Sequence, residues 1–193
     1  MVLLTGFEPF GGDAVNPSQL VVERLAGEVD AVAVLPVSAS ETPLALRAVI
    51  DRHRPDLVLS LGLAATRDQV TLERVAINVV DCRIADNAGV LLRDAPVLPG
   101  GPAAYFATLP LRAILAAWEA AGIPAELSNS AGTFMCNQAL YWSLHLAGER
   151  GHRAGFVHLP RAALEDGQPG LPVDTMVDAV RAALDACRPV TAR

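Results

Sequence analysis

Short, almost uninterrupted apolar runs recur along the first third of this chain. Three of them cover residues 2–5, 31–35 and 57–61. Continuous apolar runs of this length indicate strands that are covered on both faces, as in parallel sheets. Helical segments separate the runs, and strands joined through helices form a sheet between helical layers. The pattern therefore predicts an α/β fold, a single-domain three-layer α/β/α arrangement with a mostly parallel (mixed) central sheet.

The predicted helices carry recognisable start and stop signals. Asn16 and Pro17 are typical of a helix start, and we expect this helix to end near Gly27. A second helix is expected from about residue 42 to residue 53, before Pro55. Further helices are predicted over residues 110–121 and 173–187, and further strands over residues 70–77 and 125–127.

Two segments lack a regular pattern. Residues 81–108 are rich in proline, glycine and turn dipeptides, which predicts a small hairpin or an extended loop, placed at a subunit contact. Residues 164–172 are polar and contain Gly167 and Pro169, which predicts a mobile loop in a position to gate a nearby site.

Composition narrows the possible classes of protein. A length of 193 residues with 52% hydrophobic content fits one domain over residues 1–193 with a sizeable core. The formal net charge of −6 offers no basic surface for nucleic acid, and no stretch is predicted to span a membrane. Three cysteines without a CxxC pair, and a start without a basic segment or cleavage site, predict reduced thiols and a cytoplasmic location.

The chain contains no lysine, since all 15 basic residues are arginine. This excludes a Schiff-base enzyme, the lysine of a P-loop and a Ser/Lys amidase. No group of histidine and cysteine residues has zinc-ligand spacing. We therefore expect neither a metal nor a cofactor.

Cys136 is the main candidate for a nucleophile. It follows a loop of small and polar residues, 128–134, and precedes a segment in which Leu140 and Leu144 recur at helical spacing. The thiol is thus expected near a helix N-terminus, where free N–H groups and the helix dipole favour the thiolate and are placed to stabilise an oxyanion. The alternative is a buried structural cysteine.

A nucleophilic cysteine needs a base, and His158 is the best of four histidines. It ends the apolar run 154–157, and ligand sites in α/β sheets collect at the carboxyl ends of strands. His53 lies at a charged helix end closed by Pro55, and His152 lies in a polar turn. His145 falls on the far side of the helix that would carry Cys136.

A third group should orient the imidazole, and Glu73 is the first candidate. It lies within an apolar run, so its carboxylate is expected to be partly buried with a partner, either Arg74 or Arg83. The residue pattern alone leaves Asp81 and Asp86 open as alternatives.

Three blocks of sequence carry a family resemblance. They are Thr5–Gly12 followed by Asn16-Pro17-Ser18, Gly62–Ala65 followed by Thr71–Asn78, and Ser128–Asn137 followed by Phe156–Pro160. In this order they resemble the pyroglutamyl peptidase I (pyrrolidone-carboxylate peptidase) family of cysteine exopeptidases, which remove an N-terminal pyroglutamyl residue. By position, the resemblance places the catalytic Glu, Cys and His of the family on Glu73, Cys136 and His158.

The resemblance also implies a substrate pocket and partners. Phe7, Phe10 and Phe134 would hold the pyroglutamyl ring, a small, flat, uncharged lactam that suits aromatic walls. Leu63 stands where the family often has glutamine, and this matters to affinity only if the side chain touches the substrate. The implied substrates are peptides with an N-terminal pyroglutamate, and the family implies a homo-oligomer, a dimer or a tetramer.

Two other functions compete with this interpretation. A cysteine amidase or deacylase acting on another small lactam or amide would keep the same three catalytic residues and change only the pocket. A nucleotide-binding module is suggested by the glycine-rich segment 6–12 after the first strand, although its spacing is not that of a dinucleotide fingerprint.

Overall fold

A computed structural model describes residues 1–163 and 169–188. Within these residues, five helices and ten strands follow one another in chain order. The elements are β1 (Val2–Phe7), α1 (Pro17–Arg24), β2 (Ala31–Leu35), α2 (Glu41–His53), β3 (Leu57–Leu63), β4 (Val70–Glu73), β5 (Val75–Ile77), β6 (Ala104–Phe106), α3 (Leu111–Ala120), β7 (Ala125–Ser128), α4 (Met135–Arg150), β8 (Arg153–Leu159), β9 (Ala162–Ala163), β10 (Leu171–Pro172) and α5 (Val173–Ala186).

Six of the strands form the central sheet, in the order β2-β1-β3-β8-β4-β7. The pairs β1–β2, β1–β3, β3–β8 and β4–β7 are parallel, whereas β4 runs antiparallel to β8. The α/β prediction with a mostly parallel, mixed sheet is therefore confirmed.

Helices cover both faces of this sheet. One core cluster joins the sheet to α1, α3 and α5, and a second joins its other face to α2 and α4. Strand β3 is buried along its whole length, which explains its continuous apolar sequence. Helix α4 is buried on most of its surface because it lies against both α2 and the sheet, and it therefore lacks the polar stripe of a surface helix.

The predicted helix starts rest on local hydrogen bonds. The Asn16 side chain accepts the backbone N–H of Ser18 at 3.0 Å, with Pro17 opening α1. The helix ends at Arg24, slightly before the glycine expected to stop it.

The prediction of one strand over residues 70–77 is wrong in detail. The segment breaks at Arg74 into β4, which joins the central sheet, and β5, which pairs antiparallel with β6. The backbone of Arg74 forms hydrogen bonds in two directions. Its N–H donates to the carbonyl of Ser128, and its C=O accepts from the N–H of Ala107. Of the two structures expected for residues 81–108, the extended loop is the one found, as part of a long connection from β5 to β6 with one isolated bridge between Val80 and Ala95.

The loop expected over residues 164–172 is described only in part. Residues 164–168 lie outside the described residues. Beyond them, β10 pairs in parallel with β9, so the two ends of this segment lie side by side.

Candidate active site

Cys136 is the second residue of α4 and is partly exposed, as the sequence predicted for its place near a helix start. Its Sγ lies against Gly62 of β3. A Cβ atom built on Gly62 would fall 2.7 Å from Sγ and 2.8 Å from the ring of Phe156. Glycine is therefore needed here because the thiol and the ring occupy the space of a side chain.

Register across the sheet brings His158 and Glu73 to the same face as this thiol. Gly62 pairs with His158, and His158 pairs with Thr71. Two residues further along the strands, Phe156 pairs with Glu73. Paired residues point to the same face, and diagonal neighbours lie within reach of long side chains. Helix α4 covers this face, and the Cys136 thiol at its N-terminus lies against Gly62, the strand neighbour of His158.

The imidazole of His158 and the carboxylate of Glu73 form a buried pair. Nδ1 of His158 lies 2.8 Å from Oε1 of Glu73. Glu73 has no exposed side-chain surface, and His158 is 5% exposed. With Nδ1 committed to the carboxylate, Nε2 is the ring nitrogen left to accept a proton.

The guanidinium on Glu73 belongs to Arg67, so the expected partners Arg74 and Arg83 were wrong. Nη1 of Arg67 donates to Oε1 of Glu73 at 2.6 Å. Arg74 is adjacent to Glu73 on an extended backbone, which turns its side chain away, and Arg83 is exposed. Arg67 lies in the turn between β3 and β4, six residues before the acid.

Burial and charge set the protonation states of the buried pair. Burial raises the pKa of Glu73, but the hydrogen bonds that it accepts from His158 and Arg67 outweigh this effect, so its pKa lies below the ordinary value. Burial lowers the pKa of His158, and the hydrogen bond that its Nδ1–H donates to Glu73 only partly offsets this effect. The resting pair is therefore a carboxylate and a neutral imidazole.

The thiol of Cys136 is protonated at rest, contrary to the prediction of a stabilised thiolate. Burial, and then the negative charge of Glu73, raise its pKa from 9.0 to about 12. With its pKa raised, the thiol needs a base to become a nucleophile.

The first turn of α4 presents backbone donors beside the thiol. Gln138 is the first residue whose N–H bonds within the helix, to Phe134 at 3.2 Å, and the N–H groups before it have no intrahelical partner. Asn137 holds this turn in place, since its side chain bonds to the backbone N–H and C=O of Ile77 and to the C=O of Val79.

A narrow apolar cleft lies beside Cys136. All four residues predicted to bind substrate line it. The lining consists of Phe7, Phe10, Asn16, Val37, Leu63, Phe134, Met135 and Cys136. The rings of Phe10 and Phe134 have centroids 5.8 Å apart and are tilted by 38°, which gives the cleft aromatic walls.

Comparisons with known proteins agree with this geometry. A family model described as pyroglutamyl peptidase matches residues 1–189. The chain belongs to the pyroglutamyl peptidase family. A pyrrolidone-carboxylate peptidase of Streptomyces coelicolor is 50% identical, over 96% of this chain and 90% of the relative. One of Vibrio vulnificus is 44% identical, over 96% and 92%.

Solved structures of the family have the same fold. The pyrrolidone carboxyl peptidase of Thermus thermophilus superposes with a TM-score of 0.90 at 45% identity, covering 96% of this chain and 100% of that one. The pyroglutamyl peptidase I of Bacillus amyloliquefaciens gives 0.90 at 38% identity, covering 96% and 93%. Membership in this family makes the chain a hydrolase of the peptidase class.

The other candidate residues of the sequence have structural partners elsewhere. Asp86 accepts backbone N–H groups of Ala39, Ala88 and Val90, so it fixes a loop. Asp81 forms an exposed ion pair with Arg93.

The remaining histidines also bond away from the thiol. His145 bonds to the hydroxyl of Tyr105, and His152 to the carbonyl of Ser143. His53 ends α2. His158 is instead the histidine that pairs across the sheet with Gly62, against which the Cys136 thiol lies.

Two groups around the thiol escaped the sequence reasoning. Arg67 belongs to the β3–β4 turn, and the only signal for it was that a buried acid requires a cation. Asn137 was visible in the motif, but its role depends on β5, which the sequence did not separate from β4.

Residues 1–163 and 169–188 contain neither a candidate membrane-spanning helix nor a group of metal-ligating side chains. No helix there has the length and apolar character to cross a membrane. In the same part of the chain, no three histidine, cysteine or acidic residues are grouped as metal ligands would be.

Proposed function

We propose that this chain removes the N-terminal pyroglutamyl residue from peptides, with Cys136 as nucleophile, His158 as general base and acid, and Glu73 as the orienting carboxylate. The observation that carries the proposal is the buried 2.8 Å contact between His158 and Glu73 on the sheet face where α4 places Cys136. The arrangement matches the logic of cysteine and serine acyl transfer.

Acylation begins with a neutral thiol. Nε2 of His158 takes the proton from Sγ as sulfur attacks the carbonyl carbon that joins pyroglutamate to the next residue. The ionised Glu73 accepts Nδ1–H and stabilises the imidazolium that forms. Backbone N–H groups in the first turn of α4 stabilise the negative oxygen of the tetrahedral intermediate.

Two further steps complete the cycle. The intermediate collapses as Nε2–H protonates the leaving amine, which leaves a thioester between pyroglutamate and Cys136. Water then attacks the thioester carbonyl and gives its proton to His158. Free pyroglutamate leaves, and Sγ recovers its proton from the imidazolium.

The cleft suits a lactam for a simple chemical reason. Its lining contains no ionisable side chain apart from the thiol, and three phenylalanines form much of the wall. A charged α-ammonium group would lose its hydration there without gaining a counter-ion. An uncharged lactam ring loses little and gains aromatic contact, so the cleft favours pyroglutamyl over glutamyl termini.

Release of a fluorogenic amine from a pyroglutamyl amide tests the proposal, with the prolyl and glutamyl amides as controls. Each reaction is run before and after treatment with iodoacetamide. We expect cleavage of the pyroglutamyl compound alone, abolished by alkylation. Thiol-sensitive cleavage of a different small amide would favour the amidase alternative, and cleavage that survives alkylation would refute the mechanism.

We further propose that the protein acts as a homo-oligomer, a dimer or a tetramer, in the cytoplasm. The exposed side chains of Leu44 and Phe106, 67% and 69% accessible, support a subunit contact because large apolar groups favour burial. The cysteines Cys82, Cys136 and Cys187 are all free thiols, which suits a reducing compartment.

A further inference from the structure

Arg67 makes contacts on two sides of the candidate site. Its Nη1 donates to Oε1 of Glu73 at 2.6 Å, the oxygen that also lies 2.8 Å from Nδ1 of His158. Nη1 also donates to the hydroxyl of Thr71, which pairs with His158 across the sheet. One arm of the guanidinium is therefore bound to the acid and its strand.

The other arm reaches the loop that leads to the nucleophile. Nη2 donates to the Ser128 hydroxyl at 3.2 Å and to the Ser130 carbonyl at 3.1 Å. Ser128 ends β7, and Ser130 begins the connection to α4, whose second residue is Cys136. A planar fork with several donors in fixed directions can hold both groups at once.

Glu73 depends on these contacts because it is fully buried. Within the described part of the chain, its Oε2 has no hydrogen-bond partner, so both contacts converge on Oε1. A buried carboxylate that loses a charged partner is strongly disfavoured and tends to take up a proton. Without Arg67, the carboxylate would compete with His158 for the proton on Nδ1.

We propose that Arg67 is a positioning residue, which ties the Glu73–His158 pair to the loop before Cys136 and so keeps the imidazole aligned with the thiol. This inference rests on the proposed function for the identity of the reacting groups. Arg67 does not line the apolar cleft, so its effect falls on turnover and not on substrate binding.

The cation also acts on His158 through charge. Within the described residues, the charged groups that act on this imidazole are Glu73 and Arg67. The positive charge of Arg67 lowers the pKa of His158, and removing it acts in the opposite direction. The acidic limb of the pH profile should therefore move to higher pH when the charge is lost.

Two variants distinguish the hydrogen bonds of Arg67 from its positive charge. Arg67→Met removes the hydrogen bonds and the charge. Arg67→Lys keeps a positive charge but lacks the planar guanidinium that reaches Glu73 and Ser130 together. We expect kcat to fall by about 10- to 100-fold in both variants, with KM within twofold, because misalignment by about an ångström costs up to about 100-fold. The acidic limb of kcat/KM should move upward in Arg67→Met and stay near its original position in Arg67→Lys.

Arg112→Met is the matched control, since it makes the same change of charge at an exposed position on α3. It should leave kcat, KM and the pH profile unchanged. An Arg67→Met protein with kcat within twofold of the parent and an unshifted acidic limb would overturn the proposal. So would an Arg67→Lys protein with full kcat. If Arg67→Met does not fold, the kcat of Arg67→Lys alone tests the proposal: a loss of kcat supports it, and full kcat overturns it.

Alkylation keeps this test independent of the substrate. The rate at which iodoacetamide modifies Cys136 is measured against pH in the parent and in each variant. A parent that fails to cleave the pyroglutamyl amide would refute the proposed function. A pH dependence of alkylation that differs between parent and Arg67→Met would still support the role of Arg67, and identical dependence would overturn it.

Discussion

At Gly62, the space that a side chain would occupy is filled by the Cys136 thiol and the Phe156 ring. A Cβ atom there would meet both at under 3.0 Å. Phe156 lies at the centre of the sheet with no exposed surface and cannot move aside cheaply, so the thiol would be displaced.

Gly62→Ala is therefore predicted to lower kcat by about 10-fold or more and to destabilise the fold by about 1–3 kcal/mol. Steady-state kinetics and denaturant unfolding measure the two effects. Gly148→Ala is the control, because it lies in α4 with nothing within 4 Å of a new Cβ. It should keep full activity with equal or higher stability. Full activity in Gly62→Ala would show that the thiol does not need this position.

Two pKa shifts at the site predict the pH profile. The pKa of His158 is lowered by burial, so its neutral form, which acts as base, persists below the ordinary value of 6.5. The pKa of Cys136 is raised to about 12, so the thiol remains protonated near neutral pH.

We therefore expect the acidic limb of kcat/KM to fall below pH 6.5, and alkylation of Cys136 to keep accelerating well above pH 9. Stopped substrate assays across pH measure the acidic limb of kcat/KM, and the rate of reaction with iodoacetamide across pH measures the alkylation of Cys136. A thiolate–imidazolium pair formed at rest would instead give alkylation that is already at its plateau near neutral pH.

At the scale of single elements, Asn137 links α4 to β5. Its fully buried side chain satisfies the N–H and C=O of Ile77 and the C=O of Val79 at 2.9–3.0 Å. Removing it leaves buried backbone groups without partners, at about 1–3 kcal/mol for each unsatisfied group.

Asn137→Ala should thus destabilise the protein by about 3 kcal/mol and loosen the turn that carries Cys136. Urea unfolding gives the stability and initial rates give the loss of kcat. Gln19→Ala, which removes an exposed contact with Glu23, should change neither by a measurable amount. Equal stability of Asn137→Ala and the parent would show that this anchor is dispensable.

The elements themselves were largely predictable, because their signals are local. Continuous apolar runs marked β1, β2 and β3, and the Asn16–Pro17 start marked α1. The break at Arg74 was not predictable from the sequence, since it depends on backbone hydrogen bonds to Ser128 and Ala107, far along the chain. The antiparallel pairing of β4 with β8 also depends on residues far apart in the chain. This pairing places Glu73 diagonally opposite His158.

At the scale of the whole molecule, the site draws on distant parts of the chain. Gly62 comes from β3, Arg67 from the next turn, Cys136 from α4 and His158 from β8. Sequence reasoning found the three catalytic candidates because chemistry and family resemblance single them out. It missed Arg67 because the partner of a buried acid is decided by which turn folds over it.

The exposed Phe106 on β6 gives a prediction about assembly. We expect the protein to sediment as a homo-oligomer, and Phe106→Glu to shift it toward the monomer, since a charge in an apolar contact is strongly disfavoured. Sedimentation velocity over a range of concentrations measures this. A parent protein that stays monomeric at every concentration would contradict the expectation.

The most direct test of the whole account is to trap the acyl-enzyme. The protein is mixed with a pyroglutamyl amide, quenched in acid and examined by intact-mass and peptide-mass measurement, beside Cys136→Ala, Cys82→Ala and Cys187→Ala. We predict one pyroglutamyl group on the peptide that contains Cys136, present in the parent and in the last two variants and missing from Cys136→Ala. An acyl group on another residue, or turnover by Cys136→Ala, would contradict the account.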